Sequence, residues 1–352
     1  MQSTPPSSPP YSSLRTLGRI DLAEAIPLPG PLTIYLEPTN ICNFKCVYCP
    51  ESFDNYKEVV GGHFQLSLDD FKAIAKQIKD LATVKTLNFY MMGEPFVNKQ
   101  LTQFISIAKS EAIAEKVIVT SNGTLVKPHL YQTICDSRLD YLRISIYGGN
   151  EGSHAKNTQS SFHLSQIKDN ILGLKRFRDA GARYRPFIYI KMIESACADD
   201  NRQFKEMFSE AGDEVFIEPV MNWNDPAEGN LSGEAKDTLL SRRYFSARKE
   251  VCPFPFYTLV IHSDLKVSVC CVDWNKQTVV GDLHNESLTD IWKGEALRTF
   301  QLRHVQRRRH ELAGCKTCTY LHTAPDNIDS LTESILLERS SNNRARAQKN
   351  TR

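Results

Sequence analysis

Short apolar stretches alternate with longer amphipathic stretches along the middle of the chain. The apolar stretches predict six strands, at residues 32–36, 84–92, 116–120, 141–147, 186–193 and 214–220. The amphipathic stretches predict helices at residues 99–111, 127–136, 166–180 and 201–211, and a further helix that Ser67 caps and that runs to about residue 81. Repeated strand-then-helix units are typical of a parallel sheet covered by helices.

Six such units are too few to close an eight-stranded barrel. The pattern therefore predicts an α/β protein built on a partial (β/α)6 TIM-like barrel, with its chemistry at the carboxyl ends of the strands. Residues 251–325 have a different pattern. They contain predicted hairpin strands at 257–262 and 266–271 and half of the cysteines. They predict a small C-terminal cysteine-rich auxiliary domain of β-hairpin and helix.

The remaining segments complete the predicted domain organisation. Residues 1–28 are rich in Pro and Ser and are expected to be disordered, residues 29–225 form the barrel, and residues 226–250 form a linker. Residues 326–352 are expected to be a polar, basic tail with one short helix near 331–337.

Composition excludes several classes of partner. The net charge of +2 indicates no polyanionic partner, and the short run Arg307–Arg309 is expected to be a solvated face rather than a nucleic-acid site. The sequence shows neither a transmembrane stretch nor a secretory signal, so we expect a cytoplasmic protein that binds neither nucleic acid nor membrane.

Eight of the ten cysteines cluster in two regions of the chain. Cys135 and Cys197 stand apart, and we expect each to be a small buried hydrophobic residue. Cys42-x3-Cys46-x2-Cys49 follows the first predicted strand directly. Three thiolates can bind three irons of a [4Fe–4S] cluster and leave the fourth iron open to a ligand, whereas a structural zinc site needs four protein ligands.

The second region holds Cys252, Cys270, Cys271 and the pair Cys315-x2-Cys318. Four thiolates suit either zinc or a fully ligated [4Fe–4S] cluster, and residue chemistry alone leaves both open.

The run Cys42-Asn43-Phe44-Lys45-Cys46-Val47-Tyr48-Cys49 resembles the signature loop of the radical S-adenosylmethionine (SAM) superfamily. The resemblance implies that Tyr48 packs near the adenine of SAM. It also implies that Met92-Gly93-Glu94 corresponds to the family's Gly-Gly-Glu motif, whose backbone and acid hold the methionyl ammonium. Ser121-Asn122-Gly123 is similar to a Thr-Asn-Gly turn of these enzymes.

Two further strands carry candidate cofactor contacts. Alternation places Arg143, Ser145 and Tyr147 on one face, which should point into the barrel. Ser145 is then placed to hydrogen-bond the ribose and Arg143 to meet a carboxylate, and Lys191 is a candidate contact to cofactor or substrate.

Residues 252–318 resemble the SPASM/twitch auxiliary domain, with fewer cysteines than the full SPASM pattern. The resemblance implies the reduced form with one auxiliary [4Fe–4S] cluster, a layout similar to that of twitch-domain aminocyclitol dehydrogenases. Its ligands are expected to be Cys252, Cys270, Cys315 and Cys318, which leaves Cys271 as a buried thiol or a hydrogen-atom donor. A zinc-stabilised domain is the alternative.

The predicted function is that of a radical SAM enzyme, an oxidoreductase or epimerase that takes a hydrogen atom from a sugar, aminocyclitol or alcohol. A flavodoxin or ferredoxin is expected to supply the electron. The alternatives are a maturase that modifies a peptide and a non-enzymatic iron–sulfur or zinc scaffold. Candidate substrate contacts lie near predicted strand ends: Tyr90, Tyr147, His154, Glu218 and Asn222.

Overall fold

The computed structural model describes residues 20–81, 83–183, 185–218 and 249–338. Most of the predicted N-terminal segment, nearly all of the predicted linker and the end of the predicted tail lie outside these residues.

Nine strands form the described sheet: β1 Thr33–Leu36, β2 Thr86–Phe89, β3 Lys116–Ser121, β4 Tyr141–Ile146, β5 Phe187–Ile193, β6 Glu214–Glu218, β7 Thr258–Ile261, β8 Lys266–Ser268 and β9 Val279–Asp282. The described helices are α1 Leu22–Ala25, α2 Tyr56–Val59, α3 Leu68–Leu81, α4 Leu101–Ser110, α5 Pro128–Asp136, α6 Glu151–Thr158, α7 Leu164–Ala180, α8 Ala198–Phe208, α9 Leu288–Lys293 and α10 Glu295–Val305. Short 3-10 turns lie at Pro50–Ser52, Pro95–Val97, Phe254–Phe256, Arg309–Glu311 and Tyr320–Thr323.

Strands β1 to β6 lie side by side and parallel in chain order, and the described sheet is open at β6 and at β9. The predicted partial barrel is therefore confirmed, with six parallel strands and, within the described residues, a helix after each of the first five. Helix α6, which lies between β4 and α7, is absent from the prediction because its sequence is polar and has little amphipathic character.

Residues 251–325, which we call the auxiliary segment, add strands to the same sheet as the barrel. Strand β7 pairs in parallel with β1, from Thr33 opposite Thr258 to Leu36 opposite Ile261. Strands β8 and β9 continue the sheet as an antiparallel meander. The hairpin prediction placed β7 and β8 correctly, but it predicted neither β9 nor the junction with β1.

The core lies between the sheet and its helices. Ile34 and Leu36 are fully buried on the helix side, whereas Tyr35 between them faces the barrel interior. Burying a large apolar side chain stabilises a fold by about 1.5–3 kcal/mol. Helix α3 begins as predicted, because Ser67 Oγ accepts a hydrogen bond from Asp70 N at 3.1 Å and donates one to Asp70 Oδ2 at 2.6 Å.

The two ends of the described chain meet beside the auxiliary segment. Leu22 and Ile26 pack with Phe256, Ile328 and Leu331 in a separate apolar cluster. Residues 333–338 are helical, at the place where a short helix is predicted. Residues 20–28 and 326–338 are thus folded rather than loose, because their few apolar side chains bury one another. None of the helices in the described residues is both long and apolar enough to cross a membrane.

Candidate active site

The loop after β1 brings Cys42, Cys46 and Cys49 to the wall of one cavity. Helix α6 holds this loop, since Lys45 N donates to Thr158 O at 3.0 Å and Val47 N donates to Asn157 O at 2.9 Å. We call residues 42–49 the cysteine loop.

The three thiols of the cysteine loop resist ionisation. Burial raises the pKa of each, and in Cys42 and Cys46 the neighbouring thiols add to the effect. The pKa of Cys49 is raised to about 12, chiefly by burial, although Lys45 opposes the rise. A bound metal removes this cost, because it binds the thiolate directly.

Glu94 lies in the turn after β2, beside the cysteine loop. It is 2% exposed, and its carboxylate accepts hydrogen bonds from Ser121 Oγ at 2.7 Å, Asn122 N at 2.7 Å and Phe96 N at 3.2 Å. Burial raises the pKa of Glu94 to about 7, and these three donors only partly offset it. A ligand ammonium would restore the charged form by supplying an opposite charge.

Gly93 allows this turn to approach the backbone of residues 39–41, which lead into the cysteine loop. Its φ is +73°, and a Cβ there would lie 2.4 Å from Thr39 O and 2.8 Å from Ile41 N. The atoms closest to this position therefore belong to protein backbone. Glu94 N donates to Ile41 O at 2.9 Å, which fixes the two segments together.

Ser121 and Asn122 connect the end of β3 to the turn after β2 and to the cysteine loop. Ser121 Oγ supports Glu94, and Asn122 Nδ2 donates to Asn43 Oδ1 at 2.7 Å. Asn43 in turn donates to Thr124 Oγ1 at 2.8 Å. The sequence prediction missed Asn43 and Thr124, although Asn43 directly follows the first loop cysteine.

The cavity has a volume of about 500 Å³ and runs through the barrel interior. Every predicted cofactor contact borders it: Tyr48, Gly93, Glu94, Ser121, Asn122, Arg143, Ser145 and Lys191. Tyr48 stacks on Tyr147 with ring centres 6.1 Å apart. Their roles toward SAM stay predictions, but the alternation argument places Arg143, Ser145 and Tyr147 correctly on the inner face.

A charged network lines the cavity across β4, β5 and β6. The buried Glu218 carboxylate accepts hydrogen bonds from Lys191 Nζ at 2.8 Å and Tyr189 Oη at 3.2 Å, and Arg143 Nη2 lies 3.8 Å from it. Arg143 Nη1 also donates to Tyr90 Oη at 3.2 Å. Two cations thus share one carboxylate at the cavity wall.

Three of the predicted substrate contacts, Tyr90, Tyr147 and Glu218, line the cavity. His154 does not line it: its ring is fully buried and packs edge-on against Phe44, so it supports the cysteine loop from behind. Asn222 lies outside the described residues.

The predicted ligands of the auxiliary site are partly buried and lie near one another. Burial raises the pKa of Cys252, and the nearby Cys315 and Cys318 raise it further; for Cys270 burial is again the main cause, followed by Cys271, Cys318 and Cys252. The four predicted ligands therefore lie close together.

Arg309 closes the loop of this second site, because its Nη1 donates to Cys315 O at 2.6 Å and Cys318 O at 3.0 Å. Cys271, by contrast, borders the main cavity, with its Sγ 3.6 Å from Tyr320 Oη.

Within the described residues, no group of three or more His, Cys, Asp or Glu side chains is arranged around a point that suits a single metal ion. A cluster binds each thiolate through its own iron, so its ligands need not converge on one point.

Family comparison gives two matches along the chain. Residues 36–188 match the radical SAM superfamily, and residues 252–319 match SPASM, an iron–sulfur cluster-binding domain. The S-adenosyl-L-methionine-dependent 2-deoxy-scyllo-inosamine dehydrogenase of Niallia circulans is 20% identical over 285 residues, which cover 81% of this chain and 91% of that protein.

Two solved structures share the fold. The crystal structure of BtrN in complex with AdoMet and 2-DOIA gives a TM-score of 0.51 at 16% identity, over 82% of this chain and 92% of that one. Streptococcus suis SuiB bound to precursor peptide SuiA gives a TM-score of 0.56 at 11% identity, over 80% and 69%.

The two matched domains imply SAM and iron–sulfur clusters, and the donors present fit them. Soft thiols are grouped at both sites, and a buried carboxylate with a raised pKa lies beside the first. The chain therefore belongs to the radical SAM superfamily of enzymes, with a radical SAM domain at residues 36–188 and a SPASM iron–sulfur cluster-binding domain at residues 252–319.

Proposed function

We propose that this enzyme oxidises a small polar molecule, such as an aminocyclitol, sugar or alcohol, by radical SAM chemistry. Cys42, Cys46 and Cys49 hold a [4Fe–4S] cluster, and SAM occupies the adjoining part of the cavity. When bound, these groups would supply a 5′-deoxyadenosyl radical that takes a hydrogen atom from a substrate carbon, an auxiliary cluster would accept the second electron, and the substrate hydroxyl would release its proton to solvent or to a cavity base.

The chain's own residues hold SAM in the assigned position. Glu94 accepts the methionyl ammonium, and the backbone of Met92 and Gly93 lies beside it. Tyr48 packs near the adenine, Ser145 meets the ribose, and Arg143 or Lys191 meets the carboxylate. Ser121 and Asn122 act indirectly, because their hydrogen-bond donors orient the Glu94 carboxylate.

One observation carries the proposal: a single cavity is bordered both by the cysteine loop with Glu94 and by the auxiliary segment. Phe254, Tyr257, Cys271 and Tyr320 form its auxiliary wall. A substrate there lies between the two groups of cysteines, so a hydrogen atom and an electron can leave it in opposite directions.

For the auxiliary site, we propose a [4Fe–4S] cluster bound by Cys252, Cys270, Cys315 and Cys318. Cys270 lies near Cys252 and Cys318, whereas Cys271, which also lies near Cys318, borders the cavity and contacts Tyr320. This supports Cys270 as the ligand. Zinc at this site remains the alternative, and metal analysis of the purified protein distinguishes the two.

A polar, charged wall supports a small polar substrate. Tyr90, Tyr147 and Glu218 offer donors and acceptors to hydroxyl and amino groups, which suits a cyclitol or sugar. The match to an aminocyclitol dehydrogenase over nearly its whole length supports the same class. The electron donor for the first cluster is proposed to be a flavodoxin or ferredoxin.

The test is anaerobic incubation of reconstituted protein with SAM and dithionite. Formation of 5′-deoxyadenosine is expected for the native chain and is expected to be lost in Cys46→Ala. Substrates are then screened with ring-deuterated aminocyclitols and sugars, where deuterium should enter 5′-deoxyadenosine. No 5′-deoxyadenosine from iron-loaded native protein would indicate a scaffold and contradict the proposal.

A peptide substrate is the second candidate, because the fold is shared with a structure that holds a precursor peptide. Oxidation of peptides but of no sugar, cyclitol or alcohol in the same deuterium assay would favour this candidate.

A further inference from the structure

Glu37 is a buried carboxylate that the sequence prediction did not single out. It follows the last residue of β1 and is 2% exposed. Within the described residues, its carboxylate accepts hydrogen bonds from two places: the turn after β2 and the β7–β8 turn of the auxiliary segment.

The first contact reaches the proposed SAM site. Glu37 Oε2 accepts a hydrogen bond from Met92 N at 3.2 Å. Met92 is the first residue of the turn that continues through Gly93 to Glu94. The peptide unit that begins this turn is therefore held by a charged acceptor.

The second contact reaches the auxiliary segment. Glu37 Oε1 accepts hydrogen bonds from Ser263 Oγ at 2.7 Å and Ser263 N at 3.1 Å. His262 Nδ1 lies 3.9 Å from Oε2, while its Nε2 is 2.9 Å from Ser268 Oγ on β8. One carboxylate thus joins two segments more than 150 residues apart in the chain (roughly 170 from Met92 to Ser263).

Glu37 is suited to this place as a charged group. Burial alone raises its pKa, but the nearby His262 imidazole and the two Ser263 donors outweigh burial and leave the pKa below its ordinary value. Hydrogen bonds to a charged acceptor are stronger than those between neutral groups. The contact to Met92 is therefore stiffer than a neutral acceptor would make it.

We propose that Glu37 is a positioning residue: it links the Met92–Glu94 turn to the β7–β8 turn and so holds the Met92–Glu94 turn in the conformation that binds SAM. The inference rests on the proposed function, in that this turn holds SAM. It adds that the auxiliary segment takes part in SAM binding without touching SAM, through Ser263, Glu37 and Met92.

The experiment compares native protein with Glu37→Gln, both with clusters reconstituted, and measures the SAM dissociation constant by equilibrium dialysis. The electron paramagnetic resonance signal of the reduced first cluster, with and without SAM, gives a second readout. We expect Glu37→Gln to keep its iron and to bind SAM about tenfold more weakly, because an amide cannot accept from both turns as a carboxylate does.

Asp140→Asn is the matched control. Asp140 is also a buried carboxylate that accepts a backbone hydrogen bond, from Val117 N at 2.8 Å, and it pairs with Lys109, but it lies before β4 at the opposite end of the strands. We expect this variant to lose thermal stability with no change in SAM affinity.

An unchanged SAM dissociation constant in Glu37→Gln would overturn the inference, whatever its thermal stability. If that variant does not fold, Ser263→Ala takes its place, with a two- to fivefold weakening expected, and an unchanged constant there has the same consequence. If native protein itself binds no SAM, the proposed function fails instead.

Discussion

At the scale of single residues, Glu94 shows how burial and hydrogen bonding oppose each other. Its three donors favour the carboxylate, but full burial is the larger effect and raises the pKa from the ordinary 4.5 to about 7. Between these two values the folded protein holds a proton that the unfolded chain has released. Folding stability must therefore fall as pH rises through this window.

Glu94→Gln tests this consequence in protein without SAM. We expect native protein to lose about 3 kcal/mol of unfolding free energy from this residue between pH 4.5 and pH 7.5, and the variant to lack that part of the pH dependence. Urea unfolding of both proteins across this range measures the difference. Parallel pH profiles would contradict the raised pKa.

Gly93 gives a second residue-scale prediction. Alanine there has to adopt a positive φ and also meets the Thr39 and Ile41 backbone, so we expect Gly93→Ala to destabilise the protein and prevent SAM binding. Gly61→Ala is the control, because Gly61 also has a positive φ, +85°, but has open space around it. The control should cost about 1–2 kcal/mol and Gly93→Ala at least about 2 kcal/mol more, as measured by urea unfolding. Equal costs would mean that the turn can move away.

Motif spacing predicted which residues border the cavity better than it predicted the residues that support them. Cys42, Glu94 and Ser145 all border one cavity, as expected from their positions after parallel strands. Glu37 and Asn43 were missed, because each acts through a partner distant in the chain. His154 was misplaced for a related reason: nothing local distinguishes a histidine that faces a cavity from one that packs on Phe44.

At the scale of elements, helix α6 supports the cysteine loop although it contributes no group to the cavity wall. Its last turn accepts from Lys45 N and Val47 N, and Asn157 Nδ2 donates to Tyr147 O at 2.7 Å. Asn150 caps the helix by accepting from Ser153 N at 3.0 Å. The shape of the cysteine loop therefore depends on a short polar helix that has no strong helical pattern of its own.

Asn150→Ala should show this dependence. We expect a loss of about 1 kcal/mol of stability, together with faster removal of cluster iron by a chelator, because the loop's backbone partners loosen. Ser67→Ala removes the equivalent cap from α3, a described helix that makes no backbone hydrogen bond to the cysteine loop. It should cost similar stability and leave the iron-release rate as in native protein. Equal release rates in the two variants would contradict a role for α6.

At the scale of the whole molecule, two family domains that are consecutive in sequence share one sheet. The alternating pattern predicted the six parallel strands well, since each strand pairs with its neighbour in the chain. It could not predict that β7 pairs with β1, because local patterning specifies that a strand is apolar on both faces but not which distant edge it joins.

A shared sheet predicts shared stability. We expect the reconstituted full chain to unfold in urea in one transition, with far-ultraviolet circular dichroism and tryptophan fluorescence coinciding. Trp274 and Trp292, two of the three tryptophans, lie after β8 and report on the auxiliary segment. Separate transitions, with the fluorescence change at lower urea, would mean that the auxiliary segment folds independently.

The position of β1 between β2 and β7 also has a consequence for synthesis. The strand that leads into the cysteine loop ends at Leu36, and its second neighbour begins at Thr258, roughly 220 residues later. At ribosomal rates of about 5–20 residues per second, that edge waits on the order of 10 to 40 seconds for its partner. During that interval the nascent chain presents an open parallel edge and an incomplete pocket for iron. Until β7 emerges, the open edge of β1 is therefore exposed to pairing with a wrong strand.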